Sequence, residues 1–198
     1  MSRYRLKIVP EGDSSNPRTE FDNLGTMVCW HGRYTLGDVQ PKSRPGDYME
    51  SEGISDETHV ILPLYLYDHS GITISTSPFS CPWDSGRVGF IYAKRGAEDM
   101  TDEQLERYLK GEVDTYDAYI SGEVYGFVLE RAVPFKKERG DGKVTEGVDW
   151  DEECSCWGFY RDPRNGIRDY IDSELYPLID KAYRDIGSWA YYEEAVAA

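Results

Sequence analysis

The stretch HVILPLYLYDHSGITIST, His59 to Thr76, decides the fold. Its first nine residues form an apolar run rich in β-formers, and ITIST resumes the same character after DHSG. Two such runs around a short polar connection predict a β-hairpin. Asp68, His69, Ser70 and Gly71 suit that connection, because Asp starts turns and Gly accepts a positive φ. Pro63 lacks an N–H, so the first arm is expected to bulge or to lie at an edge near it.

Outward from the hairpin, YRLKIV, GTMVCW and RVGFIYAK read as further strands, and EVYGFVLERA with CSCWGFY as a later antiparallel pair. A helix is expected between them. Thr101 and Gln104 form a capping-box pattern, with Asp102 and Glu103 in the first turn. Leu105, Tyr108, Leu109, Val113, Tyr116, Tyr119 and Ile120 then recur at helical spacing, which predicts one apolar stripe. Gly111 is expected to divide this stretch into two short helices and Gly122 to end the second. The polar, glycine-containing residues of about 134–152 predict an exposed charged loop, and about 165–194 predict helices with Ile167, Ile171, Leu175, Leu178, Ile179 and Ala182 inward, kinked or restarted at Pro177. Strand runs interrupted and followed by helices predict a single α+β domain over 1–198, an antiparallel β-sheet packed against two or three helices, with an acidic helical insertion at about 98–121.

Composition narrows the function. The net charge is −15, and residues 98–130 alone hold ten acidic and two basic groups. A field of that sign repels nucleic acid and anionic membrane and speeds encounter with basic surfaces. Direct nucleic-acid binding and membrane association are therefore not expected. Sixteen tyrosines, five tryptophans and six phenylalanines supply enough apolar surface to oppose disorder. MSRYRLKIVP carries no apolar leader core, and no long apolar run follows, so a cytoplasmic protein with four reduced cysteines is expected.

Three groups of residues invite chemistry. In SPFSCPWDSG, Cys81 is a candidate nucleophile with His69 as base and Asp84 orienting it, the alternative being a loop stiffened by Pro78 and Pro82 and packed down by Trp83. Cys29, His31, Cys154 and Cys156 could supply four zinc ligands if their strands lie side by side, the alternative being ordinary buried thiols. No cofactor is expected, since neither phosphate-binding glycine pattern occurs. Asp102, Glu103, Glu106, Asp114 and Asp117 form the third group, a row on helical positions mostly opposite the apolar stripe. Helical neighbours lie about 5–6 Å apart, on the scale of a nucleic-acid charge row with phosphates every ~3.4 Å. Such a row suits a basic channel, against the alternative of a solvated face.

The strings LYDHSG and CPWDSG, within FDNLGTMVCWHGRYTLGD and LPLYLYDHSGITISTSPFSCPWDSGRVGFIY, together with SGEVYGFVLE and CWGFY, resemble an uncharacterised family encoded by bacteriophages and other mobile elements. The resemblance spans most of residues 21–160 and carries over no catalytic or binding residue. It implies an accessory protein in the cytoplasm of a host bacterium. Combined with the acidic row, it predicts an inhibitor of a host nucleic-acid-binding defence complex, of anti-CRISPR or anti-restriction type, acting by nucleic-acid mimicry on a partner with a basic surface. The alternative is a small hydrolase or transferase using Cys81 and His69.

Overall fold

The computed structural model describes residues 2–184, Ile186 and the backbone of 193–196. In chain order the elements are β1 (Arg3–Pro10), α1 (Pro17–Glu20), β2 (Thr26–Cys29), α2 (Pro45–Glu52), β3 (His59–Asp68), β4 (Ile72–Ser75), β5 (Ser85–Lys94) and α3 (Asp102–Ser121). There follow β6 (Val124–Glu138), β7 (Val144–Tyr160), α4 (Arg164–Ile167), α5 (Tyr176–Arg184) and β8 (Glu193–Val196). The class is α+β, as the pattern of strands and helices predicts. Instead of one sheet there are two, ordered β7-β6-β1-β8 and β2-β5-β3-β4, with antiparallel neighbours. They belong to two compact units, residues 15–121 and residues 1–14 with 122–198. The chain leaves its first strand, builds a second unit, and returns to pair β6 with β1.

In the 15–121 unit the expected hairpin forms, with Asp68 opposite Ile72 and the His69 N–H bonded to the Gly71 carbonyl at 3.0 Å. The left-handed residue is Ser70, at φ 58°, and not Gly71. Pro63 does what its missing N–H requires: β4 reaches only Tyr65–Asp68, so Pro63 has a strand partner on one side, and a register shift follows between Leu64 and Tyr65. Val60, Leu64 and Leu66 join Met27, Ile74 and Ile91 in the core beneath α3. The capping box is present, Thr101 N donating to Gln104 Oε1 at 2.8 Å and Gln104 N to Thr101 Oγ1 at 3.4 Å. Leu105, Leu109, Val113 and Tyr116 are buried against the sheet, whereas Tyr108 is 55% exposed and falls outside the stripe. Gly111 does not divide α3, whose twenty residues run unbroken to Gly122 at φ 75°. The stripe's burial on both sides of Gly111 outweighs the roughly 1 kcal/mol a glycine costs there.

The other unit packs Leu6, Ile8, Phe127 and Leu129 of its sheet against Ile167, Ile171, Leu175, Leu178, Ile179 and Ala182, all six of the expected inward residues. Pro177 lies in the first turn of α5, after a 3-10 turn at Ser173–Leu175, so it restarts the helix. The expected helix over 165–194 is thus several short pieces; residues 185 and 187–192 lie outside the described residues, and Glu193–Val196 is strand. The expected loop at 134–152 is corrected outright. It is exposed, but Pro134 pairs with Val148, Lys136 with Glu146 and Ala132 with Trp150 in a long antiparallel ribbon, turned at Arg139–Lys143. Mixed charge hid the alternation of Val144, Val148 and Trp150 on one face.

Candidate functional site

The acidic row is carried by α3, and the structure narrows it. Asp117 does not belong to the row: it is 4% exposed, and its Oδ1 accepts from Thr73 Oγ1 and Ile74 N, both at 2.6 Å, which clamps α3 to β4. Asp102 is ion-paired with Arg95, and Glu106 with Lys110 at 2.6 Å. Glu103 at the helix start is held below the usual carboxylate range by backbone and Thr101 hydrogen bonds. Asp114 is exposed. Glu103 and Asp114 stand three turns apart on one side, roughly 16 Å along the axis. Exposed Arg107 and Lys110 fall on the same side between them, so the face is acidic on balance but mixed: Asp102, Glu103, Glu106 and Asp114 face solvent, and two of the four are already paired. Exposed pairs of this kind contribute only about 0–1 kcal/mol, so an incoming lysine or arginine can displace Arg95 or Lys110 at little cost.

The two motif strings meet at one end of the same sheet. Asp68 N donates to the Asp84 carbonyl at 2.8 Å, His69 Nδ1 lies 3.2 Å from Asp84 Oδ2, and Cys81 Sγ donates to that oxygen at 3.6 Å. Cys81, His69 and Asp84 are thus brought together, but in an order that does not suit the expected chemistry. Thiol and imidazole both approach Asp84 Oδ2 and no hydrogen bond joins them to each other, whereas a nucleophile needs its base in direct contact and the carboxylate behind the base. Around this knot, Ser85 Oγ donates to the Cys81 carbonyl at 2.5 Å and Phe79 packs on Tyr67. Tyr34 and Arg33 bind the Asp68 carboxylate, at 3.3 Å and 3.1 Å. Trp83 does not pack the loop down; it is 91% exposed. The loop is rigid because of its polar ties and prolines, and its indole points away from the core.

The four proposed zinc ligands do not share a sheet. Cys29 is on β2 and Cys154 and Cys156 are on β7, in different units, so the premise of neighbouring strands fails. His31 Nδ1 instead accepts from the backbone N–H groups of Arg33 and Tyr34, at 3.3 Å and 3.1 Å, and closes a turn. Cys29 is fully buried, and burial pushes its thiol up to about 12. Cys154 and Cys156 border the core of the other unit, with the Cys154 thiol also raised by burial. No three His, Cys, Asp or Glu side chains among the described residues are arranged to hold a metal ion.

Sequence reading missed Arg18, the most fully bonded polar group described. Its guanidinium donates to Asp38 Oδ1 and Oδ2 at 2.8 and 2.5 Å, Glu112 Oε2 at 2.8 Å, Asn23 Oδ1 at 2.9 Å and the Gly25 carbonyl at 2.7 Å. Glu112 also accepts from Leu24 N at 2.7 Å, and Asp38 from Met27 N at 2.7 Å. All five donors are used, so this is a structural clamp joining α1, β2 and α3. Its two carboxylate partners lie 20 and 94 positions away, and no local pattern announces them.

These features define an α+β protein with an exposed acidic helix and a rigid, tryptophan-tipped loop. Comparison with protein-family models, curated proteins and solved structures finds no match to the chain. No helix among the described residues is long and apolar enough to cross a membrane.

Proposed function

We propose that the protein acts by binding, as an acidic accessory of a phage or other mobile element that occupies the basic nucleic-acid channel of a host defence complex and inhibits it. The observation that carries this reading is the solvent face of α3, where Glu103 and Asp114 stand beside the displaceable pairs of Asp102 and Glu106 in a chain of net charge −15. The arrangement of Cys81, Asp84 and His69 adds weight, since the imidazole approaches the carboxylate, at 3.2 Å, and no hydrogen bond joins it to the thiol. Charge of this kind acts first on encounter: it speeds association with a basic surface and is screened by salt. Affinity capture from bacterial lysate, with bound proteins identified, tests the proposal. It should yield a nucleic-acid-binding protein at low salt, lost at high salt and lost when Glu103 and Asp114 are both changed to Lys. Capture that ignores salt and both reversals would remove the acidic helix from the account.

A further inference from the structure

Trp83 and an apolar groove lie four residues apart in sequence and fit one another across two copies of the chain. The groove, about 370 Å³, is lined by Trp30, Pro45, Met49, Arg87, Val88 and Phe90. It lies beside α2, whose half-buried Tyr48 and Met49 pack with Trp30 against the buried Phe90 of β5 and leave the groove open at their edge. Its volume falls at the lower end of the roughly 300–1,000 Å³ of small-ligand sites, which suits one aromatic side chain. Arg87 makes one hydrogen bond, Nε to the Gly89 carbonyl at 3.4 Å, and has no carboxylate partner among the described residues. Opposite in character, the loop tip offers Trp83 at 91% exposure, followed directly by Asp84, whose side chain is 38% exposed. Tryptophan presented on a rigid support is the side-chain type that contributes most at protein interfaces.

We infer that the occupant of the groove is Trp83 of a second copy, the two chains being related by a two-fold axis so that each inserts its indole into the other, with Asp84 facing Arg87. Four residues of chain span at most about 14 Å, so the knob lies close to the Arg87 edge of the groove, the proximity a self-complementary contact requires. Charge complementarity is local: the carboxylate meets the unpaired guanidinium, which can also lie over the inserted ring. At long range the two copies repel, each carrying −15. Salt therefore strengthens this contact, opposite in sign to its effect on a basic partner. The inference does not rest on the proposed function.

Sedimentation velocity on the full chain, from micromolar to submillimolar protein at low and high salt, tests it. The expected result is a species of twice the 22.7 kDa chain mass, more populated at high salt. Trp83→Ala, at a solvent-exposed position that the fold does not use, should weaken it by at least about thirtyfold. Arg87→Glu should weaken it independently from the groove side, with circular dichroism confirming that both variants fold. A single-chain mass throughout, a dimer indifferent to Trp83→Ala, or open-ended assembly would each overturn the proposal. So would a chain that stays monomeric while Trp83→Ala abolishes capture of some other protein, which would assign the indole to that partner.

Discussion

Arg18 joins two carboxylates and three segments, and what it holds is clearest when it is removed. Arg18→Ala leaves Asp38 and Glu112, 23% and 13% exposed, facing a gap without their cation. Breaking a buried pair from one side costs about 3–5 kcal/mol, which should appear as a lower denaturant midpoint at unchanged slope. Arg18→Lys should recover little, because an ammonium has three donors and no planar fork. At Cys29 the consequence is a pH dependence. Burial raises the thiol from 9.0 to about 12, so the folded state keeps a proton that the unfolded state gives up. The contribution is complete below about 9 and is lost as pH rises toward about 12. Stability measured across that window should decline, and less steeply in Cys29→Ala. Single residues were unevenly legible. Pro63 could be read from its missing N–H alone, and Asp117 could not, since its helical position says exposed while its bonds to Thr73 and Ile74 depend on how the helix docks.

At the scale of elements, α3 separates what a local pattern specifies from what packing decides. The capping box and the Leu105, Leu109, Val113 and Tyr116 stripe are local, and the helix begins and buries itself accordingly. Gly111 is different: its propensity says break, and the continuous core contact on both sides overrules it. Beyond its chain neighbours and the helix's own backbone, no atom lies within 4 Å of where a Cβ would stand on Gly111, and its φ is not left-handed, so nothing packed around it needs a glycine. Gly111→Ala should therefore raise stability by about 0.5–1 kcal/mol, seen as a higher thermal midpoint. Its surroundings form a shallow cleft of about 490 Å³ between exposed Phe21 and Tyr108. The base of the β6–β7 ribbon pairs as EVYGFVLERA and CSCWGFY predict, and its outer part, Pro134–Glu138 against Val144–Val148, shows the opposite failure of reading. Alternation is its only strand signal, and Lys136, Lys137, Arg139, Lys143 and Gly142 overwrite it with the composition of a loop.

At the scale of the molecule, the class was readable and the partition was not. Strand runs and helical stripes name an α+β protein, but which strands share a sheet depends on pairings such as Leu6 with Leu129, more than a hundred residues apart, and no periodicity encodes them. The same limit separated Cys29 from Cys154 and Cys156, and it brought LYDHSG and CPWDSG together at Asp84. Net charge survives every detail of folding, and the binding account rests on it together with the solvent face of α3. Its most direct test is competition: labelled duplex DNA bound to purified restriction or CRISPR effector complexes, titrated with this protein. The account predicts displacement of the DNA from at least one such complex, weakened by added salt and by Glu103→Lys with Asp114→Lys. DNA that stays bound to every complex, or displacement that neither salt nor charge reversal changes, would contradict it.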